Sequence, residues 1–101
     1  MQLDRALDAY LRHVTIERGL SAHTVAAYRR DLGPYRQWLA DRGIDDSAQV
    51  TAALVTEYIA ERAASDPPPA ATSLARLQSS VRGMHRFLVV EGIDPVEALE
   101  R

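Results

Sequence analysis

Gly19-Leu20-Ser21-Ala22-His23-Thr24-Val25-Ala26-Ala27-Tyr28-Arg29-Arg30-Asp31-Leu32 holds the signals on which the fold turns. Gly19 can take the left-handed conformation that stops a preceding helix. Ser21 is a good N-cap for the next helix, and Thr24 follows three residues later in its first turn. Leu20 before the cap and Val25 beyond it are spaced to pack as a hydrophobic staple. From there Val25, Tyr28, Leu32, Tyr35 and Leu39 recur at intervals of three and four, the stripe of one helix. The opposite side carries His23, Ala26, Ala27 and Arg30, a small polar surface with one fixed cation that another body can approach closely.

Outward from this stretch the chain reads as four helices and no strand. The first is expected over about 3–18, with Leu3, Leu7, Tyr10, Leu11 and Val14 as its apolar stripe. Asp4 and Asp8 in its first half and Arg18 near its end suit the helix dipole. The second spans about 22–41 and closes on Gly43. Gly33-Pro34 interrupts it, because Pro34 cannot donate to the Arg30 carbonyl and its ring crowds that turn. The apolar phase continues through Leu32, Tyr35 and Leu39, which favours one kinked helix over two helices meeting at Gly33. Trp38 falls at the edge of the stripe, a half-buried position.

Residues 44–50 read as a loop, and Thr51 caps a third helix over about 52–64 that buries Leu54 or Val55, Tyr58 and Ile59. Ser65-Asp66-Pro67-Pro68-Pro69 cannot be helical and stiffens into a connector. Thr72 or Ser73 is the expected cap of a fourth helix over about 74–91, stopped by Gly92. Its stripe is Leu74, Leu77, Val81, Met84 and Leu88, with Arg76, Ser79, Ser80 and Gly83 placed roughly opposite. Asp94-Pro95 opens a short tail with one turn through 96–99. The fold class is all-α, a compact four-helix bundle with short connections.

One hundred and one residues make one small domain. The absence of cysteine removes disulfides, thiolate metal sites and cysteine nucleophiles together. No signal peptide or membrane-length apolar run is present, so a cytoplasmic domain is expected. A net charge of −2 is unusual for a nucleic-acid binder. Its distribution matters more than its sum. All twelve cations are arginine, and residues 72–90 carry three of them with no acid. Residues 21–42 carry four arginines against two aspartates. Two basic helices on a mildly acidic protein can form an oriented DNA face, whereas arginine scattered over a solvated surface would need no function at all.

No enzyme signature appears: there is no Gly-x-Gly-x-x-Gly, P-loop or Gly-x-Ser-x-Gly. His13, His23 and His85 fall on different helices. His13 and Glu17 stand one turn apart, half of a metal site in principle. No second pair accompanies them, so a surface i,i+4 pair is the better reading and no metal or cofactor is expected. Tyr10, Tyr28, Tyr35 and Tyr58 sit at or beside apolar stripes, which core packing explains better than nucleophilic chemistry. The positive signal is a pair of faces: His23, Thr24, Ala27 and Arg30 on the second helix, and Arg76, Ser79, Ser80 and Gly83 on the fourth. Small residues admit a phosphate chain and arginine supplies a bidentate fork. Packing against another protein would use the same small residues, so a helical protein-interaction module is the alternative.

Ser21-x-x-Thr24-x-x-x-Tyr28-x-x-Asp31-Leu32 resembles the second-helix signature of the N-terminal core-binding domain of tyrosine site-specific recombinases. Ser73-Leu74-Ala75-Arg76 and Val81-Arg82-Gly83-Met84-His85-Arg86-Phe87-Leu88 resemble its fourth helix, and Gly92-x-Asp94-Pro95 its end. The resemblance is strongest to the Xer recombinases that resolve chromosome dimers, with the run 81–87 on the XerD-like side. It implies a SAM-like four-helix bundle that forms half of a clamp on a double-stranded DNA recombination site, its second and fourth helices toward the major groove. Residues 1–95 would be the core-binding domain and 96–101 the start of a linker to a C-terminal catalytic domain. His23, Thr24, Ala27, Arg30, Arg76 and Ser80 would then face DNA, Thr24 as the leading phosphate ligand and Arg76 as the leading groove or phosphate ligand. Partner protomers, XerC-like, are implied for the full-length protein, and a monomer for this fragment. The family's catalytic residues belong to the other domain, so this stretch is expected to be non-catalytic. Two departures stand out: Gln78 occupies a position usually apolar, and Gly33-Pro34 interrupts a helix usually continuous.

Overall fold

The computed structural model describes residues 1–95; the expected turn through 96–99 lies outside the described residues. Four helices follow one another: α1 (Leu3–Ile16), α2 (Ala22–Asp41), α3 (Ala52–Ala63) and α4 (Ala71–Val90), with a 3-10 turn at Ser47–Gln49. Among the described residues the fold is the expected all-α four-helix bundle. Helix α4 packs against each of the other three and forms the centre of the domain.

The boundaries of α2 come from local chemistry. Ser21 Oγ accepts from the Thr24 amide at 3.2 Å, a cap that contributes about 1 kcal/mol. At the other end Gly43 adopts φ +75°, where a side chain would be strained. Pro34 lies inside a helix that runs unbroken from 22 to 41, so the alternative of two helices meeting at Gly33 is ruled out. Thr51 caps α3 in the same way as Ser21, accepting from the Leu54 amide at 3.2 Å.

Three boundaries differ from the sequence reading. Helix α1 stops at Ile16, ahead of Arg18, and α3 stops at Ala63. Helix α4 begins at Ala71, not Leu74, and neither Thr72 nor Ser73 caps it. Its cap is Ala70, held extended after three prolines, with no side-chain hydrogen bond. Residues 44–50 are more ordered than a loop. Asp46 pairs with Gln2 in an isolated antiparallel bridge and its carboxylate accepts from the Ala48 amide at 2.9 Å.

The core is contributed by all four helices: Leu3, Tyr10, Leu11 and Val14; Leu32, Tyr35 and Leu39; Val55, Tyr58 and Ile59; Leu77, Val81, Met84 and Leu88. Burying a side chain of this size contributes about 1.5–3 kcal/mol. Leu7, Val25, Tyr28 and Leu74, expected in the stripes, pack only partly against this core, while Ala6 on α1 is fully buried. Leu20 and Val25, the expected staple pair, are both half-buried against this core.

Two hydrogen-bonded polar pairs lie in the interior. The Tyr35 hydroxyl and His85 Nε2 are 2.8 Å apart. Burial lowers the His85 pKa to about 4, with Asp94 acting weakly the other way, so the imidazole is neutral at physiological pH. Asp94, expected to open a free tail, is buried and accepts from Ser47 Oγ at 2.9 Å. On the opposite flank half-buried Trp38 donates its indole N–H to Glu61 Oε2 at 2.7 Å, and the Arg42 guanidinium lies 3.5 Å over its ring.

Candidate nucleic-acid interface

The two faces read from the sequence are only partly on the surface. On α2, His23 and Arg30 are exposed. Thr24 is half-buried, and its hydroxyl lies 3.0 Å from that of Ser21, within the capping geometry. Ala27 is buried and does not belong to an outward face.

On α4 the expected face rotates. Ser80 has no exposed surface, and its hydroxyl donates to the Leu77 carbonyl at 3.0 Å. The reason is angular: at about 100° per residue, Ser80 lies only about 60° from Leu77, on the flank of the buried stripe. The same arithmetic places Ala75, Ser79, Arg82 and Arg86 opposite the stripe, and all four are exposed. Gly83 is half-buried because the Tyr10 hydroxyl occupies the place of a Cβ there. Glycine at 83 is thus a close-approach residue between α1 and α4.

Arg76 is also not the free cation expected. Its Nε and Nη2 donate to the two carboxylate oxygens of Asp31 at 2.8 and 3.0 Å. The Asp31 side chain is only 11% exposed, so this fork is partly desolvated and ties α4 to α2. The guanidinium orients the two helices relative to each other and is not available to a phosphate while that pair is intact.

A different set of residues converges. An open groove of about 730 Å³ runs between the end of α1, Tyr28 of α2 and the outer face of α4. Arg18, Arg82 and Arg86 line it with Gln78, Ser79 and Gly83, and among the described residues no acid is part of the lining. Its floor is aromatic: the Tyr10 and Tyr28 rings stack at 6.3 Å with 9° between their planes. Burial raises the Tyr10 pKa, with Tyr28 adding to it and Arg18 opposing it, so the phenol stays neutral. Three guanidinium groups over neutral, hydrogen-bonding walls suit an elongated polyanion. Of the residues expected from sequence, the groove brings together Ser79 and Gly83; His23, Thr24, Ala27, Arg30, Arg76 and Ser80 do not line it. The residues missed are Arg18, Arg82 and Arg86. The wheel angle signals the last two, but nothing local signals Arg18, which lies past the end of α1.

Comparison with known proteins places the domain. Residues 7–92 match the family of the phage integrase N-terminal SAM-like domain, and the chain belongs to that family. It is similar to the tyrosine recombinase XerD of Mycobacterium tuberculosis (strain ATCC 25618 / H37Rv), 44% identical over 92 residues, 86% of this chain and 30% of that protein. XerD of Mycobacterium leprae (strain TN) is 42% identical over 96 residues, 90% of this chain and 30% of its own length. Tyrosine recombinase XerC of Pseudomonas fluorescens is 37% identical over 100 residues, 96% of this chain and 33% of the relative. The chain therefore spans about a third of the length of these recombinases. No solved structure matches it significantly. No described helix is long and apolar enough to cross a membrane.

Proposed function

We propose that this chain is the DNA-gripping N-terminal domain of a Xer-type tyrosine recombinase that acts in chromosome dimer resolution. Residues 1–95 form the gripping unit, and strand cleavage belongs to the part of such a protein beyond the linker that starts at about 96. The observation that carries the reading is the groove in which Arg18, Arg82 and Arg86 converge with no acid among the described residues of its lining. Its length and charge suit a run of duplex phosphates, with exposed Arg30 and His23 extending the basic surface along α2. Phosphate contacts hold the domain in place and leave sequence to groove contacts, for which Gln78 and Ser79 on α4 supply hydrogen-bonding groups. The partners are a recombination half-site and, in the full-length protein, XerC-like protomers; the separate domain is monomeric and binds weakly, as a single module with net negative charge should.

The test is binding of a labelled duplex as a function of salt. Phosphate neutralisation releases counterions, so affinity falls steeply with salt in proportion to the contacts made. The Arg82→Ala/Arg86→Ala double variant should bind about tenfold more weakly or worse, with a shallower salt slope. Equal affinity and slope in the variant and the parent would sink the groove as a DNA site and leave protein–protein docking as the use of this face.

A further inference from the structure

Outside the lining of the groove, the ends of two helices bring together three groups, two from α1 and one from α4. His13 lies in the last turn of α1, Glu17 is the C-cap of α1 and Glu91 is the C-cap of α4. Their ligand atoms all lie within 4.8 Å of one another. We infer that His13, Glu17 and Glu91 form a binding site for a divalent transition-metal cation of the zinc class, which staples the end of α1 to the end of α4.

Three observations converge on that reading. The first is electrostatic. Carboxylates are unfavourable at helix C-termini, where the macrodipole is negative, yet here two helices each end on one. Among the described residues no arginine forms an ion pair with either glutamate. A bound cation turns both dipole ends and both carboxylates from a cost into an attraction. The second is an unsatisfied atom. His13 Nδ1 is shielded from solvent and has no hydrogen-bond partner. The Glu17 carboxylate oxygen stands 3.3 Å from it, close but outside hydrogen-bonding geometry. The third is metric. Zinc holds nitrogen and carboxylate oxygen at about 2.0–2.1 Å in a tetrahedron, which puts neighbouring ligand atoms about 3.3–3.4 Å apart. The His13–Glu17 separation already has that value.

The ring is also positioned. His13 lies 4.7 Å from Phe87 and 6.5 Å from Tyr10 between ring centroids, which holds the imidazole toward α4. An open cavity of about 380 Å³ beside the cluster, bounded by Arg12, Ile16, Phe87 and Ile93, gives access and leaves room for a water as the fourth ligand; Arg12 is the one cation in this lining and forms no ion pair with Glu17 or Glu91 among the described residues. A magnesium ion, which prefers six oxygens and keeps its waters, suits this set less well.

Calorimetric titration of the 101-residue chain with zinc chloride near neutral pH, after chelator treatment, tests the site. One equivalent should bind, and magnesium chloride should produce no comparable heat. Glu91→Gln removes an exposed carboxylate without touching the core and should weaken binding roughly tenfold or more. His13→Gln should do the same, with helicity checked by circular dichroism. NMR should place the zinc-induced shifts on the His13 ring and the Glu91 amide. Undiminished affinity in Glu91→Gln, or shifts confined to exposed His23, would show surface capture only and overturn the assignment.

Discussion

Six arginines of this domain contrast two flanks. On the α2–α3 flank Arg42 is spent on partners within the fold, reaching Glu57 at 3.6 Å and Glu61 at 3.5 Å while covering Trp38, and Arg36 of α2 likewise reaches Asp4 of α1 at 3.1 Å. On the α1–α4 flank Arg18, Arg82 and Arg86 share a groove lined by no acid among the described residues. Arg76 stands between the two, on a basic helix but committed to Asp31. Counting arginines along the chain therefore overstates one face and understates the other. An electrostatic footprint is set by which cations lack an internal counter-charge, and only tertiary packing decides that.

The contrast can be broken most strongly through the core that both flanks share. His85 has its pKa lowered to about 4 in the fold, against about 6.5 when unfolded. The unfolded chain therefore binds the proton more readily, and the stability present above about pH 6.5 is lost as the pH falls toward 4. Chemical denaturation at these two pH values should differ by about 3 kcal/mol from this group, and His85→Phe should flatten that part of the profile. No pH dependence in this window would mean that the Tyr35–His85 pair is not closed to water.

Next in size is the fork between the flanks. Arg76→Ala leaves the poorly exposed Asp31 carboxylate without its partner and should cost about 1–2 kcal/mol in urea denaturation. Asp31→Asn/Arg76→Gln should recover part of it. If Arg76→Ala instead weakened DNA binding at unchanged stability, Arg76 would belong with the groove cations after all. The smallest effect is expected on the paired flank. Arg42→Ala should lower stability by about 1 kcal/mol or less, since its ion pairs are exposed. DNA affinity should not change, and an equal loss of affinity in Arg42→Ala and Arg82→Ala would erase the distinction between flanks.

Much of the fold could be read locally because its signals are local. The bounds of α2 depend on a serine cap and a glycine stop that sit in the sequence beside the helix they end. The start of α4 was misread because its cap, Ala70, has no side chain to announce it; three prolines hold the backbone there instead. The candidate site was less legible. The helical repeat sets Ser80 on the flank of the buried stripe, about 60° from Leu77, and not opposite it as expected. The commitment of Arg76 to a carboxylate 45 residues earlier could not be seen in any window. Arg18 reaches the groove only because α1 ends before it and the chain turns toward Gly19. Likewise the pairing of His13 with Glu17 was visible, but its meeting with Glu91 depends on α1 and α4 ending side by side. The family resemblance, carried by two short motifs in the right order, survived these errors because it depends on spacing and not on which atoms are free.

Trp38 gives the molecule an optical property of its own. It is the sole tryptophan, hydrogen-bonded to Glu61, covered by Arg42 and 5.3 Å from the Tyr58 ring, entirely on the flank whose charges are paired. Its emission is thus a built-in gauge of whether α2 and α3 are seated together, and the groove on the other side lies outside its view.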